Sequence, residues 1–267
     1  MTLEDTHADI LQKARRGLGL DIETAARRAG LSTAAFGRIL EPSPDPVALK
    51  AAALALGLDP RSLEAIARGA YHPGCGQIPK GLHVFGTPFG DMMVNSYLVR
   101  DPQTGRAAAF DTGSDCDGLL ETVRTLQLGL ESVFLTHAHG DHIYDLDRLV
   151  EKSDAGAWAA EPVPGARLFG PGTRFSIGTL KVSTLLTCGH SPAGITYLID
   201  GLSRPVAIVG DALFAGSMGG GTVSYQDALT TTRTRILGLP ADTLLCPGHG
   251  PLTTVALERA NNPFFPP

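Results

Sequence analysis

The first constraints on this chain of 267 residues come from what it lacks. It has 4 cysteines, Cys75, Cys116, Cys188 and Cys246, spread widely and never in a CxxC pair. That spacing excludes a zinc knuckle and a dithiol redox motif, and reduced thiols are expected. There is no cationic excess: 22 Lys and Arg face 27 Asp and Glu, a net charge of -5, which argues against general attraction to nucleic acid. No basic-then-apolar leader is visible in the acidic, polar opening residues. The longest apolar helical run, residues 51–58, is far too short to span a bilayer. A cytoplasmic protein without membrane attachment is expected. A serine nucleophile elbow is missing as well, so acyl transfer through a Ser-His-Asp arrangement is not indicated.

What is present describes a soluble protein of one large or two ordinary domains. Hydrophobic residues make up 43% of the chain and charged residues 18%, enough apolar material for a substantial core. The 32 Gly and 19 Pro predict many tight turns.

The densest chemistry lies in Thr136-His137-Ala138-His139-Gly140-Asp141-His142, directly after the apolar run Val133-Phe134-Leu135. A β-branched and aromatic run that ends in polar residues reads as a buried strand delivering side chains to a sheet edge. A lone His is usually a packing or surface residue, the reading that suits His7, His72 and His83. Three imidazoles and a carboxylate in so short a stretch instead suit a borderline divalent cation such as zinc. Two further histidines stand in similar settings: His190 in Cys188-Gly189-His190-Ser191-Pro192-Ala193-Gly194 and His249 in Cys246-Pro247-Gly248-His249-Gly250. Between them, Val206-Ala207-Ile208-Val209-Gly210-Asp211 is another buried strand ending in a carboxylate.

The order HxHxDH, GHSPAG, GD and PGHG resembles the metallo-β-lactamase superfamily, most closely its glyoxalase II-like branch in the short form without a C-terminal helical domain, over residues 81–267. The resemblance implies one metal held by His137, His139 and His190, a second held by Asp141, His142 and His249, and Asp211 bridging them. It also implies that Asp111, in Asp111-Thr112-Gly113, supports the ligands without binding metal. Zinc is the expected metal, with iron or manganese compatible with the same donors. The activity implied is hydrolysis of a thioester of the hydroxyacylglutathione type, or a related ester or lactone, by a metal-bridging hydroxide with Asp141 in a catalytic role. The partner is then a small molecule, a glutathione conjugate being one candidate. The chain departs from the branch in two places. Gly219-Gly220-Gly221-Thr222 stands where a glycine-arginine pair is usual, and Ile143-Tyr144-Asp145 follows His142 where two glycines are common. Tyr144 is a candidate substrate contact.

Residues 1–70 read differently. Apolar residues at helical spacing define five helices, with Asp21 and Ser32 as N-caps and proline-rich breaks at residues 42–46 and 59–60. The series resembles the helix-turn-helix domains of Cro and the phage repressors, with residues 33–40 in the place of the recognition helix. That segment offers few side chains able to read base edges, and the 9 basic and 9 acidic residues of this region cancel. Dimerisation or docking is favoured over nucleic-acid binding. Residues 71–80 form a turn-rich linker. Downstream, helices are expected at residues 122–128 and 146–151, with a hairpin turning at Gly178. The expected fold class is α/β: an αββα metallo-β-lactamase sandwich over residues 81–267, preceded by a small all-α helix-turn-helix-like domain. Two alternatives stand beside the hydrolase. One is a persulfide dioxygenase using His137, His190 and Asp211 around a single Fe(II), and the other is a ligand-sensing transcriptional regulator.

Overall fold

The computed structural model describes residues 2–266. Five helices come first: α1 (His7–Gly17), α2 (Ile22–Arg28), α3 (Thr33–Arg38), α4 (Pro46–Ala55) and α5 (Pro60–Ala67). Each begins at a side chain that accepts a backbone N–H, Thr6, Asp21, Ser32, Asp45 and Asp59 in turn, and Pro46 and Pro60 occupy the first helical position where no N–H is needed.

Two six-stranded sheets follow. The first contains β1 (Leu82–Phe89), β2 (Met92–Arg100), β3 (Arg106–Phe110), β4 (Gly129–Phe134), β5 (Gly156–Ala159) and β6 (Ala166–Leu168), side by side in that order. Its first three strands run antiparallel and the rest pair in parallel, with α6 (Asp117–Thr125), α7 (Gly140–Ile143) and α8 (Leu146–Ser153) in the crossovers. The second contains β7 (Arg174–Ile177), β8 (Leu180–Leu186), β9 (Ile195–Asp200), β10 (Val206–Gly210), β11 (Leu244–Pro247) and β12 (Thr253–Thr254), again in sequence order. The helices α9 (Tyr225–Thr231), continued by a π-helical turn, and α10 (Val255–Asn261) complete it. None of the helices among the described residues is long and apolar enough to cross a membrane.

Period-two alternation explains the layers. In β3, Ala108 and Phe110 face the second sheet while Ala107 and Ala109 face α6 and α8. In β10, Val206 and Ile208 face the first sheet while Ala207 and Val209 face outward. Both faces of each strand are covered, so these segments read as continuous apolar runs. The outward face of β10 and β11 is covered by the N-terminal helices: Ile10, Leu11, Ala14, Phe36, Leu49 and Leu63 share one hydrophobic cluster with Ala207, Val209, Leu213, Leu245 and Phe264. The apolar faces of α1, α4 and α5 are thus spent within the chain.

One helix departs from expectation. The segment foreseen at residues 122–128 is helical over Asp117–Thr125, because Leu119 is the residue it buries and Gln127, at φ 51°, ends it before Leu128.

Candidate metal centre

Four strand ends deliver the ligand-type side chains. β4 leads into His137 and His139, and α7 carries Asp141 and His142 one turn apart from them. The loop between β8 and β9 presents His190, the end of β10 presents Asp211, and the loop after β11 presents His249. Two tyrosines fix the sheets to each other beneath this edge: Tyr97 donates to the Pro247 carbonyl at 2.6 Å and Tyr197 donates to the Leu135 carbonyl at 2.6 Å. Both rings are wholly buried, and their hydroxyls bind carbonyls that sit within two residues of His137 and His249.

Donor atoms converge in three overlapping groups, His137 with His139 and His190, His137 with His142 and Asp211, and Asp141 with His142 and His249, each within 4.8 Å. Asp211 spans them: Oδ1 lies 3.3 Å from His142 Nε2, and Oδ2 lies 3.4 Å from His190 Nε2 and 3.5 Å from His249 Nε2. Asp141 Oδ2 lies 3.2 Å from His249 Nε2. The outer nitrogen of each anchored ring is engaged elsewhere. His142 Nδ1 donates to Asp111 at 2.9 Å, His190 Nδ1 to the Gly220 carbonyl at 2.8 Å, and His249 Nδ1 to the Met93 carbonyl at 2.9 Å. His137 Nδ1 meets Thr136 Oγ1 at 3.0 Å, and that hydroxyl donates to Asp111 at 2.8 Å. Each of these Nε2 atoms faces inward, where a neutral ring offers its lone pair to a metal.

Asp111 holds this arrangement in a left-handed backbone, φ 56°, and also accepts the Thr136 N–H at 2.7 Å. A non-glycine residue kept there is a local strain that its three hydrogen bonds offset. Glu161 does comparable work for two loops, accepting from Ala138 N at 3.0 Å and from Ala193 N at 2.8 Å, so that the His139 and His190 loops share one buried carboxylate. Nothing in the local sequence around Glu161 signals this.

The donor set fits cations. Among the described residues His137 Nε2, His142 Nε2 and Asp211 Oδ1 are buried without a hydrogen-bond partner, an expensive condition unless a ligand completes them. Gly248 supplies the room: a Cβ there would collide with Asp211 Oδ1 and lie 2.6 Å from the His142 ring. Charge follows the same logic. Burial drives the His137 and His190 imidazoles below their ordinary range and so toward the neutral form. Burial opposes a charge on His142, His249 and Asp211 alike, but the groups offset it for one another: the carboxylates hold the His142 and His249 imidazoles above their ordinary range, and the imidazoles keep Asp211 ionised.

A family model described as the metallo-beta-lactamase superfamily matches residues 89–168. The probable metallo-hydrolase YqgX of Bacillus subtilis is 31% identical over 207 residues, which cover 67% of this chain and 95% of that protein. The chain belongs to the metallo-β-lactamase superfamily. Within this superfamily it is also 27% identical to a hydroxyacylglutathione hydrolase, GloC of Haemophilus influenzae, over 64% of this chain and 92% of that one. The crystal structure of ETHE1 from Myxococcus xanthus superposes with a TM-score of 0.60 at 27% identity, over 68% of this chain and 83% of that one. Superfamily membership makes the chain a metallo-hydrolase in the broad sense, with its His/Asp cluster as the candidate site for divalent metal.

The superfamily cluster opens into a pocket of about 320 Å³. Met92, Phe214, Gly219 and Gly220 line one part of it, and Glu4, Asp5 and Lys13 line another. Those last three come from the opposite end of the sequence, and no local motif marked them. Tyr144 sits elsewhere, 68% exposed and edge-on to Phe89 at 5.7 Å, and is not among the residues lining this pocket. Cys246 is buried between the sheets, where burial pushes its thiol well above the ordinary range, so the cysteine adjoining the His249 loop packs as a small apolar residue.

Proposed function

We propose that this protein is a dinuclear metal-dependent hydrolase of thioesters or closely related esters. The observation that carries the reading is the position of Asp211, whose carboxylate reaches both ligand sets: Oδ2 lies 3.4 Å from His190 of one set and 3.5 Å from His249 of the other, and Oδ1 lies 3.3 Å from His142. One metal would be held by His137, His139 and His190, the other by Asp141, His142 and His249, with Asp211 shared between them. Two divalent cations in such a site supply Lewis acidity that lowers the pKa of water and polarises a carbonyl.

The chain's own residues do the rest. Asp141 borders the pocket, and its ionised carboxylate can accept a hydrogen bond from an attacking water and so orient it. Asp111 and Thr136 keep the His137 and His142 rings from turning, and Glu161 holds the two histidine loops together. Phe214 and Met92 give part of the pocket an apolar lining against which a substrate can pack. Similarity to GloC supports the thioester class.

The test pairs metal content per chain, on protein purified without added metal, with hydrolysis of S-lactoylglutathione. Two equivalents with turnover are expected. One equivalent of iron, oxygen uptake with a persulfide and no hydrolysis would replace this reading with the mononuclear dioxygenase.

A further inference from the structure

The N-terminal helices reach the catalytic pocket through a small polar clamp. Lys13, on α1, donates to Asp5 Oδ2 at 2.5 Å and to the Met218 carbonyl at 2.9 Å, and its ammonium lies 4.9 Å above the Phe214 ring. Ser217 also donates to Asp5 Oδ2, at 2.5 Å. Residues 214–218 belong to the turn that follows Asp211, and Gly219 N returns to the Asp211 carbonyl at 3.0 Å. The clamp therefore joins the first turn of the molecule to the loop behind the shared carboxylate.

Its effect is to place Glu4. The backbone of Glu4 lies over Gly250, close enough that a Cβ on that glycine would come within 3.1 Å of Glu4 N and 3.3 Å of Glu4 Cβ. Glu4 thus borders the pocket beside His249. Among the described residues its carboxylate has neither a hydrogen bond nor an ion pair, although it is half-buried. The fixed cation nearby, Lys13, is already neutralised by Asp5. Gly220, which lines the same pocket, is small and uncharged. The non-metal wall of the pocket is consequently acidic, with one carboxylate among its lining residues that no described cation pairs.

We infer that Glu4 is a specificity-determining residue: among matched substrates it favours one whose group at this wall is cationic over one whose group there is a carboxylate. The inference rests on the reading that the pocket above the His/Asp cluster receives the substrate. A like charge facing a half-buried carboxylate is disfavoured and an opposite charge favoured, so a discrimination of about tenfold or more is expected between matched substrates of opposite sign.

Three thioesters of equal reach test it: acetylthiocholine, its uncharged 3,3-dimethylbutanethiol counterpart and S-acetyl-3-mercaptopropionate. The holoenzyme should favour the cation over the anion in kcat/KM by about tenfold or more, and Glu4→Gln should bring the ratio near unity with the neutral ester little changed. Glu151→Gln, an exposed acid on α8, controls for net charge and should keep the wild-type ratio. A readout independent of turnover is calorimetric binding of the ketone analogues, (4-oxopentyl)trimethylammonium against 5-oxohexanoate, where Glu4→Gln should narrow the same preference. Equal ratios in wild type and Glu4→Gln overturn the inference. Loss of metal from Glu4→Gln also overturns it, since Glu4 would then be a ligand. If no ester is hydrolysed but the binding preference follows Glu4, the thioester reading fails and the specificity wall stands.

Discussion

Replacing Asp111 by asparagine separates the ligand scaffold from the ligands themselves. Asp111 accepts from Thr136 N at 2.7 Å, Thr136 Oγ1 at 2.8 Å and His142 Nδ1 at 2.9 Å. Asparagine keeps the shape but has one acceptor oxygen. If that oxygen stays on Thr136 N, the amide NH2 points at the His142 N–H, donor against donor, in a fully buried site. With Thr136 Oγ1 turned to accept from the amide, the remaining loss is the charge-assisted bond from His142 plus one unsatisfied donor, about 2–4 kcal/mol. For a chain of this size that lowers Tm by about 5–15 °C, which thermal unfolding of metal-free protein in EDTA should reveal. A His142 ring freed to turn should bind its metal roughly 10–100-fold more weakly, read by equilibrium dialysis against chelator-buffered zinc. The second equivalent should weaken more than the first, because His142 donates to Asp111 directly whereas the first ligand set meets it only through Thr136 and His137. An unchanged second equivalent together with a Tm within about 2 °C of wild type would refute the argument.

Three further expectations follow from other parts of the molecule. Gly248→Ala should leave the fold intact but abolish stoichiometric binding of two metals, measured by plasma mass spectrometry, because its Cβ would occupy space between Asp211 and His142. Leu11→Ala, in the cluster shared by the helices and the second sheet, should cost about 2–5 kcal/mol and shift two probes together, helical circular dichroism and the fluorescence of the single tryptophan, Trp158 on β5; an unmoved Trp158 transition would show that the helices unfold by themselves. Asp101 is buried, and burial opposes its ionisation, but bonds from Thr179, Gln103 and Thr104 hold its pKa at about 2 against an ordinary 3.8. Its folded pKa is the lower one, so its stabilisation is present above pH 3.8 and is lost as pH falls toward about 2. Asp101→Asn should therefore flatten acid unfolding in that window, and an unaltered acid-unfolding curve would contradict the assignment.

Much of the site was legible because its donors are concentrated in short motifs at the ends of apolar runs. His137, His139, Asp141 and His142 lie within one loop and helical turn, so residue type and spacing sufficed to nominate them. The caps at Asp21 and Ser32 were legible for a similar reason, and the helices expected from Val47 and Arg61 begin one residue earlier, at Pro46 and Pro60: capping is decided within four residues. Contacts between distant segments left no such trace. Glu161 looks like any surface glutamate until the loops bearing His139 and His190 are brought together around it. Glu4, Asp5 and Lys13 join the pocket only through packing of α1 on the outward face of β10 and β11. Charge cancellation in residues 1–70 was visible in the sequence, yet which of those charges meet the loop after Asp211 depends on tertiary structure alone.

That packing also imposes an order in time. The helices are synthesised first, but Ala207, Val209 and Leu245, on which they settle, come near the end. At about 5–20 residues per second the interval between the end of α5 and the emergence of β11 is on the order of 10–40 s. Through that interval Ile10, Leu11, Leu49 and Leu63 have only one another for cover, so the nascent chain carries a sticky helical surface until its last strands arrive.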